Sequence, residues 1–231
     1  MIVTIIYVLA AVIPAIFLMW HIYKYNKIEK EPNSLLVKLI FGGVLAGLLA
    51  MVLEYAFGQV LDNMYFHSYN AYMVATATMV GLSEEFAKMF FLKRFSWKKP
   101  DFNYRYDGIV YAVYVSLGFA AFENILYVFQ YGLGVAFSRA LLAVPAHMAF
   151  AVFMGSYYGR AKVCEAYGDK ANCRLNLFIG FASAVILHSF YDACVMMDSD
   201  LAMIIFIVFV ILMYIIVISK IRYESRTDYK I

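Results

Sequence analysis

The sequence predicts an all-α, polytopic helix bundle embedded in a lipid bilayer. Two observations of composition and one of pattern carry that prediction. Of 231 residues, 65% are hydrophobic and only 15% are charged, whereas roughly a quarter of a soluble domain is charged. This excludes a soluble globular protein, and the lack of low-complexity tracts excludes a disordered one. The apolar residues fall in runs long enough for a helix of about 20 residues to cross the hydrocarbon core. Seven runs, 2–23, 35–57, 69–92, 107–130, 139–160, 175–196 and 201–220, fill the chain as one integral membrane domain, 1–231. A net charge of +3 is too small to indicate nucleic acid. Cys164 and Cys173 are expected in one loop, with Cys194 in or beside an apolar run. With no CxxC pair, neither a disulfide framework nor a zinc finger is indicated.

Each element has its own reason. The first run has no basic residues before it and Lys24, Lys27 and Lys30 after it, so it reads as a retained helix with its N-terminus outside. Trp20, Tyr23 and Tyr25 anchor it at the interface, and Tyr65, Phe66, Tyr69 and Tyr72 do the same where the third run begins. The second run carries Gly43 and Gly47, a GxxxG face for packing within the molecule or between copies. On the third, Gly81, Glu84 and Lys88 share a face, with Lys88 one turn from Glu84 as its counter-ion. The fourth holds the row Phe119, Glu123, Tyr127. The fifth holds Ala143, His147, Ala151, Gly155, Gly159, and the sixth Gly180, Ala184, His188, Asp192. Small residues on one stripe let backbones approach, so both histidines should face into the bundle. Pro145 is a candidate kink. The seventh run contributes only hydropathy.

Charge placement sets the orientation. All of the 19 basic residues except Lys88 and Arg139 fall in loops one, three and five, in the tail, or at span ends facing the same side. The positive-inside rule then predicts seven spans, N-terminus out and C-terminus in. Arg139 begins the fifth run on the uncharged side, where lipid phosphate or a substrate backbone are its expected partners. Glu54, His21 and His67 lie near helix ends or interfaces, where polar groups are cheap, and are left out of the site.

The ionisable residues inside spans are Glu84, Glu85, Lys88, Glu123, His147, His188 and Asp192. A charged residue at mid-membrane costs about 2.5–3.5 kcal/mol, so these groups must be paired, protonated or facing water. At about 1.5 Å per residue, Glu123, His147 and His188 lie roughly 10–14 Å below the outer helix ends, but Glu84 lies roughly 18–24 Å deep. A kink, a tilt or a water-filled cavity open to the outside would remove that mismatch. Chemically the set suits water activation. Glu84 or Glu85 takes a proton as general base, the histidines bind a divalent metal or donate to an oxyanion, and Asp192 holds the tautomer of His188. No HExxH is present.

SerGluGluPheAlaLys at 83–88, AspGlyIleValTyr at 107–111 and GlyPheAlaAlaPheGluAsnIleLeuTyr at 118–127 make up the first half of a pattern. Arg139, ProAlaHis at 145–147, GlySerTyrTyrGly at 155–159 and HisSerPheTyrAsp at 188–192 complete it. Over residues 80–195 the chain resembles the PrsW intramembrane proteases, grouped with CAAX prenyl endopeptidases and bacterial abortive-infection proteins. The resemblance implies a protease of the bacterial cytoplasmic membrane that makes the first regulated cut in a single-pass, membrane-anchored anti-sigma factor. It also implies that Glu84 and Glu85 are the paired glutamates of the first motif, and His147, His188 and Asp192 the polar residues of the third and fourth. The fourth motif here ends in Asp where many relatives have Asn. Glu123 stands where prenyl endopeptidases have histidine, which favours the anti-sigma branch over the prenyl-protein branch. A divalent metal such as zinc on Glu123, His147 and His188, or a metal-free glutamate mechanism, both agree with the resemblance. A transporter or proton relay is the competing class, since such clusters also make relays, but no internal repeat supports it.

Overall fold

The computed structural model describes residues 2–231, and within them the chain forms eight helices and no strands. They are α1 (Ile2–Tyr25), α2 (Asn33–Asp62), α3 (Tyr69–Ser96), α4 (Asp107–Tyr131), α5 (Leu133–Leu141), α6 (Ala143–Ala166), α7 (Lys170–Met196) and α8 (Asp200–Arg226). Six stretches are long and apolar enough to cross a membrane, α5 and α6 counting as one. The helix that fails on hydropathy is α3, because it carries Glu84, Glu85, Lys88, Lys93 and Arg94. It is nonetheless 28 residues long and packs against α2, α4 and α7. Within the bundle Glu84, Glu85 and Lys88 pair with one another instead of meeting lipid, while Lys93 and Arg94 are exposed in the last turn at the basic end. The lipid-facing surface is visible as exposed apolar side chains, among them Ile5, Phe41, Val52, Ile204 and Ile211.

At the centre is α4, whose side chains from Asp107 to Ala120 are all buried. Glycines bring its neighbours close. A Cβ built on Gly155 of α6 would lie 2.6 Å from Cα of Ile109 on α4. On α2, a Cβ on Gly43 would lie 2.8 Å from the Gly118 carbonyl carbon, so the GxxxG face is used within the molecule. Between α3 and α7, a Cβ on Gly81 would meet Ser189 Oγ at 2.6 Å. These are the small-residue contacts expected where helices pack without a hydrophobic driving force.

Three expectations need correction. The fifth span is two helices, broken at Leu142 three residues before Pro145. Proline there has no N–H for the Leu141 carbonyl and its ring crowds that oxygen. Tyr214 Oη of α8 donates instead to the carbonyls of Leu141 (3.2 Å) and Leu142 (2.9 Å). Second, Cys164 and Cys173 lie in α6 and α7 rather than in a loop, and both are free thiols. Third, the depth mismatch is an artefact of measuring from helix ends, since α3, which begins at Tyr69 as expected, overhangs its neighbour and a cavity reaches Glu84. Beyond the level where Glu84 meets His188 it extends about 10 Å further than α7 does, at 1.5 Å per residue. The overhanging α2–α3 turn is tied by Tyr72 Oη donating to Asp62 Oδ1 at 2.9 Å.

At the opposite, basic end, Tyr111 Oη donates to Glu31, whose carboxyl burial pushes above its ordinary range. The C-terminal segment is held there too, Tyr106 N–H donating to Asp228 Oδ1 at 2.9 Å.

Candidate active site

Three helices bring Glu84 and Glu85 (α3), His147 (α6) and His188 (α7) together in the bundle interior, all four buried. One ligand atom from each lies within 4.8 Å of the others. Lys88 stands among them. Its ammonium donates to Glu84 Oε2 at 3.0 Å, Glu85 Oε1 at 2.8 Å and His147 Nδ1 at 3.1 Å. An ammonium has no lone pair, so Nδ1 of His147 is the acceptor and the ring proton is on Nε2. That Nε2–H donates to Glu123 Oε2 at 3.0 Å. His188 Nδ1 lies 2.9 Å from Glu85 Oε1, while its Nε2 faces Asp192 Oδ2 at 3.4 Å and Glu84 Oε2 at 3.8 Å. Its ring stacks on Phe150, centroids 4.8 Å apart, which fixes the plane of the imidazole.

A second layer surrounds the first. Arg139 Nη2 donates to Glu123 Oε2 at 2.6 Å and its Nε to Asn124 Oδ1 at 2.9 Å, with the guanidinium 4.0 Å over the Tyr127 ring. Asn124 in turn donates to the Ala11 carbonyl at 2.8 Å. The break at Leu142 lets α5 lean on α4 and present Arg139 to this network. Ser116 Oγ donates to the His147 carbonyl at 2.9 Å and so ties α4 to α6 at the level of the site.

Above the cluster is a cavity of about 600 Å³, lined by Glu84, Glu123, His147, His188 and Asp192. Glu85 is not on its wall and sits behind Glu84, with Oε2 buried and without a hydrogen-bond partner among the described residues. Leu126, Tyr127, Val195, Met196 and Met203 place the mouth at the end without basic loops.

The structure brings all six expected site residues and Lys88 into one network, adds Arg139 to it, and puts Glu54 on the cavity wall. Arg139 is spent on Glu123 and Asn124 instead of on lipid or a substrate backbone. Glu54 lines the cavity about two turns further along α2 than Gly47. Sequence position alone put Glu54 near an interface, and only the overhang of α2 shows that it faces the cavity. The metal ligand set also differs from expectation. Glu123 touches the far nitrogen of His147, with its oxygen shared by Arg139, so it lies outside the converging group, and Glu84 and Glu85 are within it.

The donor chemistry fits a divalent metal. Two carboxylates and two imidazoles are zinc-type ligands. Glu123 on His147 Nε2 and Asp192 near His188 Nε2 stand where outer carboxylates orient ligating imidazoles.

Residues 31–219 match the family model described as PrsW family intramembrane metalloprotease. Protease PrsW of Halalkalibacterium halodurans is 35% identical over 219 residues, covering 95% of this chain and 97% of that protein. Protease PrsW of Oceanobacillus iheyensis is 33% identical over 213 residues (92% and 93%), and that of Bacillus subtilis 33% over 183 residues (79% of each). No solved structure matches the chain at a significant level.

Proposed function

Since the chain belongs to the PrsW family of intramembrane metalloproteases and is a multi-pass bacterial membrane peptidase, we propose that it makes the first, regulated cut in a membrane-anchored anti-sigma factor, using water activated by the Glu84 cluster. The observation that carries this reading is the convergence of Glu84, Glu85, His147 and His188 inside the bundle, with Glu84, His147 and His188 lining a cavity and Glu85 behind them. A peptide bond is cut there only if water and an extended backbone reach the same point, and this cavity supplies the space. Its mouth lies at the end without basic loops, which the positive-inside rule places outside. The cut is therefore on the outer side.

Roles follow from the contacts. Glu84, on the cavity wall, takes a proton from water as the water oxygen attacks the carbonyl carbon, and later returns it to the leaving nitrogen. His188, with both ring nitrogens facing carboxylates, is a donor on both edges when protonated and hydrogen-bonds the developing oxyanion from Nε2. Glu85 positions His188 and Lys88. Glu123 and Arg139 position His147. A divalent metal held by Glu84, Glu85, His147 and a neutral His188 would supply Lewis acidity there in place of the protonated His188, whose donor role belongs to the metal-free site.

The test uses purified protein in proteoliposomes with a single-pass anti-sigma factor as substrate. Glu84→Gln and His188→Ala should each lower cleavage by about 10²-fold or more, the scale of lost acid–base catalysis, while insertion and thermal stability in detergent remain measurable. Wild-type cleavage by Glu84→Gln removes the proposed base.

A further inference from the structure

The ammonium of Lys88 occupies the place a divalent cation needs. It contacts Glu84 Oε2, Glu85 Oε1 and His147 Nδ1 at 3.0, 2.8 and 3.1 Å, and these three residues are three of the four in the converging ligand group. Its fourth neighbour is the Phe119 ring, 4.0 Å from the centroid. All three N–H bonds of an ammonium are thus used on lone pairs that a metal would take. The side chain is 2% exposed, so water does not share it. The charges around it are unbalanced. Four carboxylates, Glu84, Glu85, Glu123 and Asp192, and a fifth acidic side chain on the cavity wall, Glu54, face two fixed cations, Lys88 and Arg139. The acidic groups outnumber the fixed cations, so the site favours a further cation even with Lys88 charged.

We infer that Lys88 is an internal cation that keeps the ligand set assembled in the metal-free protein, and that a divalent metal must displace it, so that Lys88 sets the metal affinity of the site. It is a positioning residue, acting through the carboxylates it holds together. Three like-polarity groups, two carboxylate oxygens and an imidazole lone pair, would otherwise repel one another in a low-dielectric interior. With the ammonium in place they are ordered, and metal entry exchanges one set of charge-assisted contacts for another. A neutral side chain at 88 removes the competitor and leaves an anionic nest open to a dication.

The inference rests on the peptidase reading for its biological consequence, but its test needs no turnover. Zinc affinity of the full chain in detergent is measured by competition with a chromophoric chelator for wild type, Lys88→Met, Lys88→Gln and Lys88→Arg, together with the zinc-induced shift in melting temperature. Lys88→Met and Lys88→Gln should bind zinc about tenfold tighter or more and show the larger stabilisation by zinc, whereas Lys88→Arg should stay at or below wild type. Zinc affinity unchanged or weaker in both neutral variants overturns the inference, as does the absence of binding in every form. If Lys88→Met folds only when zinc is supplied, the inference is upheld. If zinc does not recover it, Lys88→Gln decides by its affinity. Tight zinc binding without any cleavage would count against the peptidase reading and leave this one standing.

Discussion

Glu123 and Arg139 show how one residue's meaning depends on what its partner does. In sequence, Glu123 is a buried carboxylate on an apolar helix and Arg139 an isolated charge on the uncharged side. In the structure they are one unit, Arg139 Nη2 to Glu123 Oε2 at 2.6 Å, and Glu123 holds the Nε2 edge of His147. The identities of the polar site residues were legible because charge inside a span is costly and scarce. The pairing was not, since Arg139 is reached only after the α5–α6 break, and Glu54 was missed because hydropathy does not report which way an outer turn faces. Arg139→Ala should lower kcat by about 10–100-fold, the usual loss when an outer partner of a site histidine is removed. Arg139→Lys should recover only part of it, because a point charge cannot make both the Glu123 and the Asn124 contacts. Unchanged kcat in Arg139→Ala would place the pair outside the reaction.

At the scale of elements, the stripes of small residues on α6 and α7 were readable from spacing alone, and the structure uses them at Gly155 against α4 and Gly180 against α6. What spacing does not carry is length beyond a contact. The overhang of α2 and α3 decides that Glu84 meets His188, and the proline-driven break at Leu142 decides where α5 can lean. Gly81 is the contact on which the α3–α7 register depends. A Cβ there meets Ser189 Oγ at 2.6 Å and its N at 3.0 Å. Gly81→Val should therefore cost about 1–3 kcal/mol of stability and reduce turnover further, by moving Glu85 away from His188. Gly58→Val, at a position with open space around it, should change neither; melting temperature and cleavage rate in parallel report both.

For the whole molecule, the bilayer makes the architecture legible, since only helices satisfy their own backbone groups in lipid. Run lengths alone then yield the bundle, with α3 the element that hydropathy underrates and charge pairing explains. The distribution of basic residues leads to an orientation that labelling checks directly. In a chain without Cys164, Cys173 and Cys194, a cysteine replacing Asp198 should react with an impermeant maleimide on intact cells, and one replacing Lys98 only after permeabilisation. The reverse pattern would put the cavity mouth inside.

The central claim is that Glu84, held beside Glu85 and His188, activates the water for hydrolysis. The most direct measurement is the cleavage rate of a reconstituted single-pass substrate by the Glu84→Gln/Glu85→Gln double variant, with correct insertion verified by the same cysteine labelling. No cleavage above the protein-free rate is expected, and cleavage at the wild-type rate would contradict the account.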